Sequence, residues 1–363
     1  MSSPSNKPRI SVLVVDDSAF MRTALSRMIT HDPGLTVIGT AADGAEALRQ
    51  IAALNPEVIT LDVQMPGLDG LETLRRIMAE SPRPVIMVSS ATQNDADTTF
   101  SALAAGAFDY VPKKLAATSL DILNIRNDLI AKIKAAAESR PSVDHVKLPK
   151  KPPRAVELPV SVRPNCLPEM IAIGISTGGP KALQELLPSL PGDLPVPILV
   201  VQHMPPGFTA PFAKRLDNLC ALSICEAKHG EVAQPGVVYI APAGLQMTVE
   251  PPAEKRSVIC LSDKPGNQLH VPSADVLMCS VAAAFHSSAM GLIMTGMGSD
   301  GADGMKAIHR EGGLTVGQDE ASCAVYGMPR VCAEMGILNR IVPLSRISHE
   351  ILQATGYRKT GIV

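Results

Sequence analysis

Val12-Leu13-Val14-Val15-Asp16-Asp17-Ser18 is an apolar, β-branched run that stops on two carboxylates, and Val58-Ile59-Thr60-Leu61-Asp62 repeats the figure. Short runs of this kind mark strands buried on both faces, as in a parallel sheet. Residues 35–40, 85–89 and 108–111 continue the series. Helical periodicity fills the gaps at 19–29, 45–54, 71–79 and 97–105, and a last helix covers roughly 119–138. Strand and helix alternating in this way predict βαβ crossovers and a parallel sheet covered on both faces. Ligands of such sheets bind outside the carboxyl ends of the strands, where these acidic residues stand.

With 363 residues the chain has room for two domains, each with its own core. Aromatic residues make up 3% and Trp is absent, which argues against stacking platforms for single-stranded nucleic acid. A formal charge of −2 gives no pull toward DNA or anionic lipid. No nucleic-acid partner is expected. The seven cysteines (166, 220, 225, 260, 279, 323 and 332) have neither CxxC nor zinc spacing, and fit reduced, mostly buried thiols. No signal peptide or bilayer-length apolar run is seen, so the expectation is a cytoplasmic protein without membrane insertion.

Asp16, Asp17 and Asp62 are expected to meet in one crevice. Three carboxylates repel unless a cation joins them, and hard oxygen donors favour Mg²⁺. With such an ion one carboxylate can act as nucleophile toward a phosphoryl donor. Ser89, ending the fourth strand, offers a hydroxyl, and Lys113, just past the fifth, an ammonium. For any single Asp the plain alternative is a helix cap.

Val15-Asp16-Asp17-Ser18, Asp62-Val63-Gln64-Met65-Pro66-Gly67-Leu68-Asp69-Gly70 and Met87-Val88-Ser89-Ser90 resemble the receiver domain of two-component response regulators, over roughly residues 9–138. The resemblance implies a flavodoxin-like (βα)5 domain with Asp62 as phosphoacceptor and Asp16 and Asp17 holding Mg²⁺. It further implies that Ser89 and Tyr110 move on phosphorylation and that Lys113 supplies the cation. Lys114 stands where the family usually has Pro.

Between 139 and 166 periodicity disappears. Six prolines and basic residues that include Lys147, Lys150, Lys151, Arg154 and Arg163 read as a semi-extended linker, with a docking motif for an acidic partner as the alternative. The αβ alternation then resumes from Glu169. Strands are expected at 170–175, 197–202 and 291–294, with an antiparallel excursion over 237–240, 246–249 and 258–261. The reading is α/β again, a three-layer domain with a mostly parallel, doubly wound sheet.

Gly174-Ile175-Ser176-Thr177-Gly178 satisfies G-x-S-x-G between a strand and a helix. The glycines permit a sharp turn that exposes the hydroxyl, and the helix N-terminus behind it suits an oxyanion. A Gly-rich phosphate loop is the competitor, without the GK[ST] ending of a P-loop. His203 ends the run 197–202, at the same predicted sheet edge, and could take the Ser176 proton. Asp300, in the Gly-rich loop after the strand 291–294, could orient the imidazole; Asp303 reads as a cap or loop residue. Cys323, in a strand-like setting, reads as a small buried hydrophobe.

These segments, with Gln202-His203-Met204-Pro205-Pro206-Gly207-Phe208-Thr209, Thr295-Gly296-Met297-Gly298-Ser299-Asp300-Gly301 and 318–329, resemble the catalytic domain of the chemotaxis protein-glutamate methylesterases, the CheB family. The resemblance implies a Ser176–His203–Asp300 triad, with backbone N–H groups of Thr177 and Met297 as oxyanion donors and no cofactor in the esterase site. It also implies hydrolysis of glutamate methyl esters on chemoreceptors, releasing methanol, and deamidation of some glutamines. A chemotaxis histidine kinase is the implied phosphodonor, and the unphosphorylated receiver is expected to cover the esterase site. The alternatives are a receiver-regulated adaptor without catalysis, or a transcription factor, for which no basic helix-turn-helix is visible.

Overall fold

Five strands alternate with five helices in the first half of the chain: β1 (Ile10–Val15), α1 (Ala19–Thr30), β2 (Leu35–Ala41), α2 (Gly44–Leu54), β3 (Val58–Asp62), α3 (Gly70–Glu80), β4 (Val85–Ser89), α4 (Gln93–Ala104), β5 (Asp109–Pro112) and α5 (Ser119–Glu138). The computed structural model describes residues 9–90, 92–113, 119–139, 166–251, 257–264 and 270–358. These divide into two units at Lys150/Lys151. The expected linker and Lys114 lie mostly or wholly outside the described residues.

In the first unit the strand order is β2-β1-β3-β4-β5 and every pairing is parallel. β3 and β4 are buried along their whole length, which is why they read as unbroken apolar runs rather than alternating ones. The chain passes from β1 outward to β2 and returns past β1 to β3, so the order reverses at the carboxyl end of β1. That reversal opens the crevice beside Asp16 and Asp17. Ser18, Asp43, Asp69 and Thr92 each accept the backbone N–H three residues on, starting α1 to α4. Helix α4 begins at Gln93, earlier than its apolar pattern predicts, because the Thr92 cap starts it on polar residues.

The second unit contains β6 (Met170–Ile175), α6 (Gly179–Leu186), β7 (Ile198–Gln202), α7 (Thr209–Asp217), β8 (Ser223–Glu226), β9 (Glu231–Val232), β10 (Val237–Ile240), β11 (Gln246–Val249) and β12 (Val258–Ser262). It continues through α8 (Ala274–Phe285), β13 (Ala289–Ile293), α9 (Ala302–Arg310), β14 (Leu314–Gln318), α10 (Met328–Glu334), β15 (Arg340–Val342) and α11 (Leu344–Ala354). Seven strands form one parallel sheet in the order β15-β14-β13-β6-β7-β10-β8, and β11-β12-β9 form an antiparallel one. The expected antiparallel excursion therefore needs correction. Residues 237–240 are not part of it; β10 pairs in parallel with β7 and β8, and its buried Val238, Tyr239 and Ile240 suit the larger sheet. The edge strand β8, only partly buried, gave no apolar run to read.

Strand β6 lies between β7 and β13, so this sheet too reverses direction at one strand, the one leading to Ser176. Helix α8 packs Leu277, Met278 and Val281 into a core with Met305 and Ile308 of α9 and Met247 of β11. No described helix is long and apolar enough to cross a membrane.

Gly70 couples the start of α3 to the end of β3. Its N–H donates to the Val63 carbonyl at 3.1 Å, and a Cβ there would lie 2.0 Å from the Asp62 carbonyl oxygen. The clash is with backbone and has no flexible end to yield. Gly70→Ala is expected to cost about 2 kcal/mol or more by overpacking, read as a lowered urea midpoint; an unchanged midpoint would show that the Asp62 turn is compliant.

Candidate active site

Ser176, His203 and Asp300 each follow the carboxyl end of a strand, β6, β7 and β13, and these strands are neighbours. The segments remain stitched together beyond the strands. His203 N–H donates to the Ile175 carbonyl at 3.1 Å, and Ser176 N–H to the Thr295 carbonyl at 3.0 Å. Gln202, fully buried, donates through Nε2 to the carbonyls of Ser176 (2.9 Å) and His203 (3.0 Å). Thr295 Oγ1 lies 2.9 Å from the Thr177 carbonyl oxygen and accepts the Val325 N–H, while Thr295 N–H donates to Gln318 Oε1.

The turn after Ser176 needs its glycines. Gly178 has φ +76°, and a Cβ there would also meet the Ala324 Cβ at 2.4 Å. A Cβ on Gly179 would lie 2.0 Å from Gln202 Oε1. Pro180 stands in the first turn of α6, where its missing N–H costs nothing.

Asp300 is the most heavily bonded group of the site. Its Oδ2 lies 2.7 Å from His203 Nε2 and accepts the Ala274 N–H at 2.7 Å. Its Oδ1 accepts the Ser273 hydroxyl at 2.7 Å and the Asp275 N–H at 3.1 Å. Asp300 thus closes the N-terminus of α8, where free N–H groups and the helix dipole favour an anion. Burial opposes its charge, but His203, Ser273 and Ala274 outweigh burial and hold the carboxyl well below the usual range. An ionised Asp300 accepts, so His203 carries its proton on Nε2. Nδ1 is then the basic nitrogen, and it is buried without a hydrogen-bond partner among the described residues.

The structure thus joins His203 to Asp300 and brings Ser176 to the adjacent strand end. Among the described residues, no hydrogen bond is recorded between the Ser176 hydroxyl and His203. The backbone N–H groups of Thr177 and Met297 likewise make no recorded hydrogen bond among the described residues. Asp303 is neither cap nor loop residue: Gly301 caps α9, and Asp303 lies within its first turn, where the helix dipole favours a carboxylate. Cys323 is not in a strand; it follows a short turn over 320–322 and is half-buried. Burial pushes its thiol up to about 12, far from a reactive thiolate. Sequence reading missed Ser273 and His270, whose ring stacks on that of His203 with centroids 4.2 Å apart. Ser273 had a signal, since Ser before a helical run is a cap pattern, but nothing local tied that cap to Asp300.

In the first unit one oxygen from each of Asp16, Asp17 and Asp62 lies within 4.8 Å of the others. Asp16 and Asp62 are buried and Asp17 is exposed. Lys113 Nζ lies 2.5 Å from Asp62 Oδ2 and 3.2 Å from Asp16 Oδ2. Burial, with the Asp16 charge, raises Asp62 to about 6 against the pull of Lys113. Burial works against the Lys113 ammonium, yet Asp62 and Asp16 prevail and raise its pKa. One ammonium does not neutralise three carboxylates, and an all-oxygen donor set suits Mg²⁺, so the residues fit that ion. Ser89 is fully buried and turned toward α4, where its hydroxyl lies 2.7 Å from Thr99 Oγ1. Tyr110 is buried, edge-on to Phe100 with centroids 6.4 Å apart and with Lys132 Nζ 5.5 Å from its ring centre.

Asp275, behind Asp300, offers a stability test. Burial raises its carboxyl to about 6, helped by the nearby Asp300 charge and opposed by the Gly304 N–H at 2.8 Å. A carboxyl raised in the fold contributes stability below its ordinary pKa near 3.8, and that contribution is lost as the pH rises through about 6. Asp275→Asn, which can still accept from Gly304, is expected to gain on the wild type by on the order of 2 kcal/mol from pH 4 to pH 7. Urea unfolding across that range checks it, and parallel stability curves would contradict it.

Comparison with known proteins identifies both domains. A family model described as CheB methylesterase matches residues 171–351, and one described as response regulator receiver domain matches residues 12–123. A protein-glutamate methylesterase/protein-glutamine glutaminase of Nitratidesulfovibrio vulgaris is 45% identical, over 94% of this chain and 98% of its own length. Its counterpart in Pyrococcus horikoshii is 43% identical, over 97% and 95%. The crystal structure of the Thermotoga maritima CheB methylesterase catalytic domain matches with a TM-score of 0.50 at 34% identity, covering 52% of this chain and 99% of that one. The chain therefore belongs to the CheB methylesterase family, with a response-regulator receiver domain at its N-terminal end and the methylesterase domain following it.

Proposed function

We propose that this chain is a serine hydrolase that removes methyl esters from glutamates of chemoreceptors, deamidates some of their glutamines, and is switched by phosphoryl transfer to Asp62. The family supplies the activity, protein-glutamate methylesterase and protein-glutamine glutaminase under receiver control. The observation that carries the residue assignment is His203. Its Nε2 is committed to Asp300 while its buried Nδ1 has no partner among the described residues, beside the strand end that bears Ser176.

On this reading His203 Nδ1 takes the Ser176 proton as Oγ attacks the ester carbonyl. The oxyanion forms against the Thr177 and Met297 N–H groups. Asp300, ionised at the helix end, stabilises the imidazolium. His203 returns the proton to the leaving methoxide, methanol departs, and a γ-glutamyl ester on Ser176 remains. A water activated by the same nitrogen hydrolyses it and releases the carboxylate. A glutamine follows the same course with ammonia as leaving group.

In the receiver domain (9–138), Asp62 accepts the phosphoryl group from a chemotaxis histidine kinase. Asp16, Asp17 and Asp62 are the residues to hold Mg²⁺, which when bound neutralises phosphate charge. Lys113 contributes the remaining cation. Ser89 exchanges Thr99 for a phosphoryl oxygen, and Tyr110 moves with it. Residues 139–166 join this domain to the methylesterase domain (167–355), and the whole acts in the cytoplasm.

The deciding experiment is methanol release from methylated receptor membranes, with Mg²⁺ and with or without acetyl phosphate. Ser176→Ala is expected to lose about 10³-fold or more in rate while still folding; substantial residual release would move the nucleophile elsewhere. Asp62→Asn is expected to lose the stimulation by acetyl phosphate. Stimulation that survives in Asp62→Asn would remove the switch and leave the esterase.

A further inference from the structure

We propose that Gln246 is a positioning residue for the His203–Asp300 pair, acting from the antiparallel sheet through residues 270–273. Gln246 opens β11 and is buried, and both ends of its amide are engaged. Nε2 donates to the His270 carbonyl at 3.0 Å, and Oε1 accepts the Ser273 N–H at 2.8 Å. The amide thus bridges the two ends of a four-residue segment.

Both of those ends reach the pair. The His270 ring stacks on His203 at 4.2 Å and 16°. The Ser273 hydroxyl donates to Asp300 Oδ1 at 2.7 Å, at the helix end that also supplies the Ala274 and Asp275 N–H groups. A second tie between the same elements, Val249 N–H to Ser280 Oγ at 3.1 Å, holds β11 along α8. Gln246 itself moves no proton. Without its amide, the buried Ser273 N–H loses its acceptor and the His270 carbonyl loses this donor. A buried polar group left unpaired drives the backbone to shift, carrying ring and hydroxyl with it. Small displacements at a general base are costly to rate.

The test uses the full chain and Gln246→Met, which keeps length and removes both polar ends. The imidazole N–H that bonds Asp300 is followed by proton NMR, assigned by its loss in His203→Gln. It is expected to move or exchange away in Gln246→Met at unchanged far-UV circular dichroism. The rate arm rests on the serine-hydrolase reading above: labelling of Ser176 by a fluorophosphonate is expected to fall about tenfold. Ser273→Ala should add less in the Gln246→Met background than alone, because both act on one segment. Should Gln246→Met not fold, Gln246→Glu, which keeps the acceptor for Ser273 but opposes the His270 carbonyl, takes its place. A wild-type imidazole signal together with wild-type labelling in the folded variant overturns the proposal, as do fully additive losses. If the wild type itself is not labelled, the serine-hydrolase reading fails, and the imidazole signal alone decides the role of Gln246.

Discussion

A buried carboxylate at the end of a helix organises the catalytic half of this molecule. Asp300 accepts from His203, the Ser273 hydroxyl and two N–H groups of α8, so its charge is met on every side that the structure describes. His203, Ser273 and the helix N–H groups together outweigh burial, and this is why a carboxylate can stay ionised where burial alone would protonate it. From that anchor the tautomer of His203 follows, and from the tautomer the identity of the basic nitrogen. Gln246 reinforces the same anchor from a different sheet, which gives the small antiparallel excursion a purpose beyond covering the core.

The receiver crevice solves a related problem in the opposite way. Asp16 and Asp62 are buried and each accepts a backbone N–H, from Ser18 at 2.9 Å and from Gln64 at 3.1 Å, but the positive charge beside them is the single Lys113 ammonium, set against three carboxylates. Burial, only partly offset by Lys113, raises Asp62 to about 6, and the uncompensated charge leaves the cluster suited to a divalent cation. An anion fully satisfied by protein holds a geometry, whereas one left short of positive charge can respond to an ion and a phosphoryl group. The turn of Ser89 toward Thr99 fits that contrast, since the hydroxyl is satisfied within α4 until something at Asp62 competes for it.

Much of this was legible in the chain. The apolar runs ending on Asp16, Asp62, Ser176 and His203 marked parallel strands and their functional ends, because a strand buried on both faces is mostly apolar and gathers its charged and polar groups at its carboxyl end. Gly178-Gly179-Pro180 marked the turn and helix start because the backbone there admits little else. Residues 237–240 were misread as antiparallel, since their run is equally apolar in either sheet and only pairing partners distinguish the two. Ser273, His270 and Gln246 were passed over, as each looks ordinary in its own stretch of sequence.

The sequence by itself determined which residue types stand at the ends of the strands, and with them the two chemistries the chain can carry. Those features are local, written in runs of five to ten residues by backbone propensity and burial. Only the tertiary structure decided that Asp300 faces His203 through Nε2, that α8 supplies the hydrogen bonds holding it, and that Gln246 clamps the segment between them. These partners are separated by 24 to 97 residues. Hydrogen bonds depend on ångström distances and on direction, and across such separations both are set by how whole elements pack rather than by the residues' own neighbours.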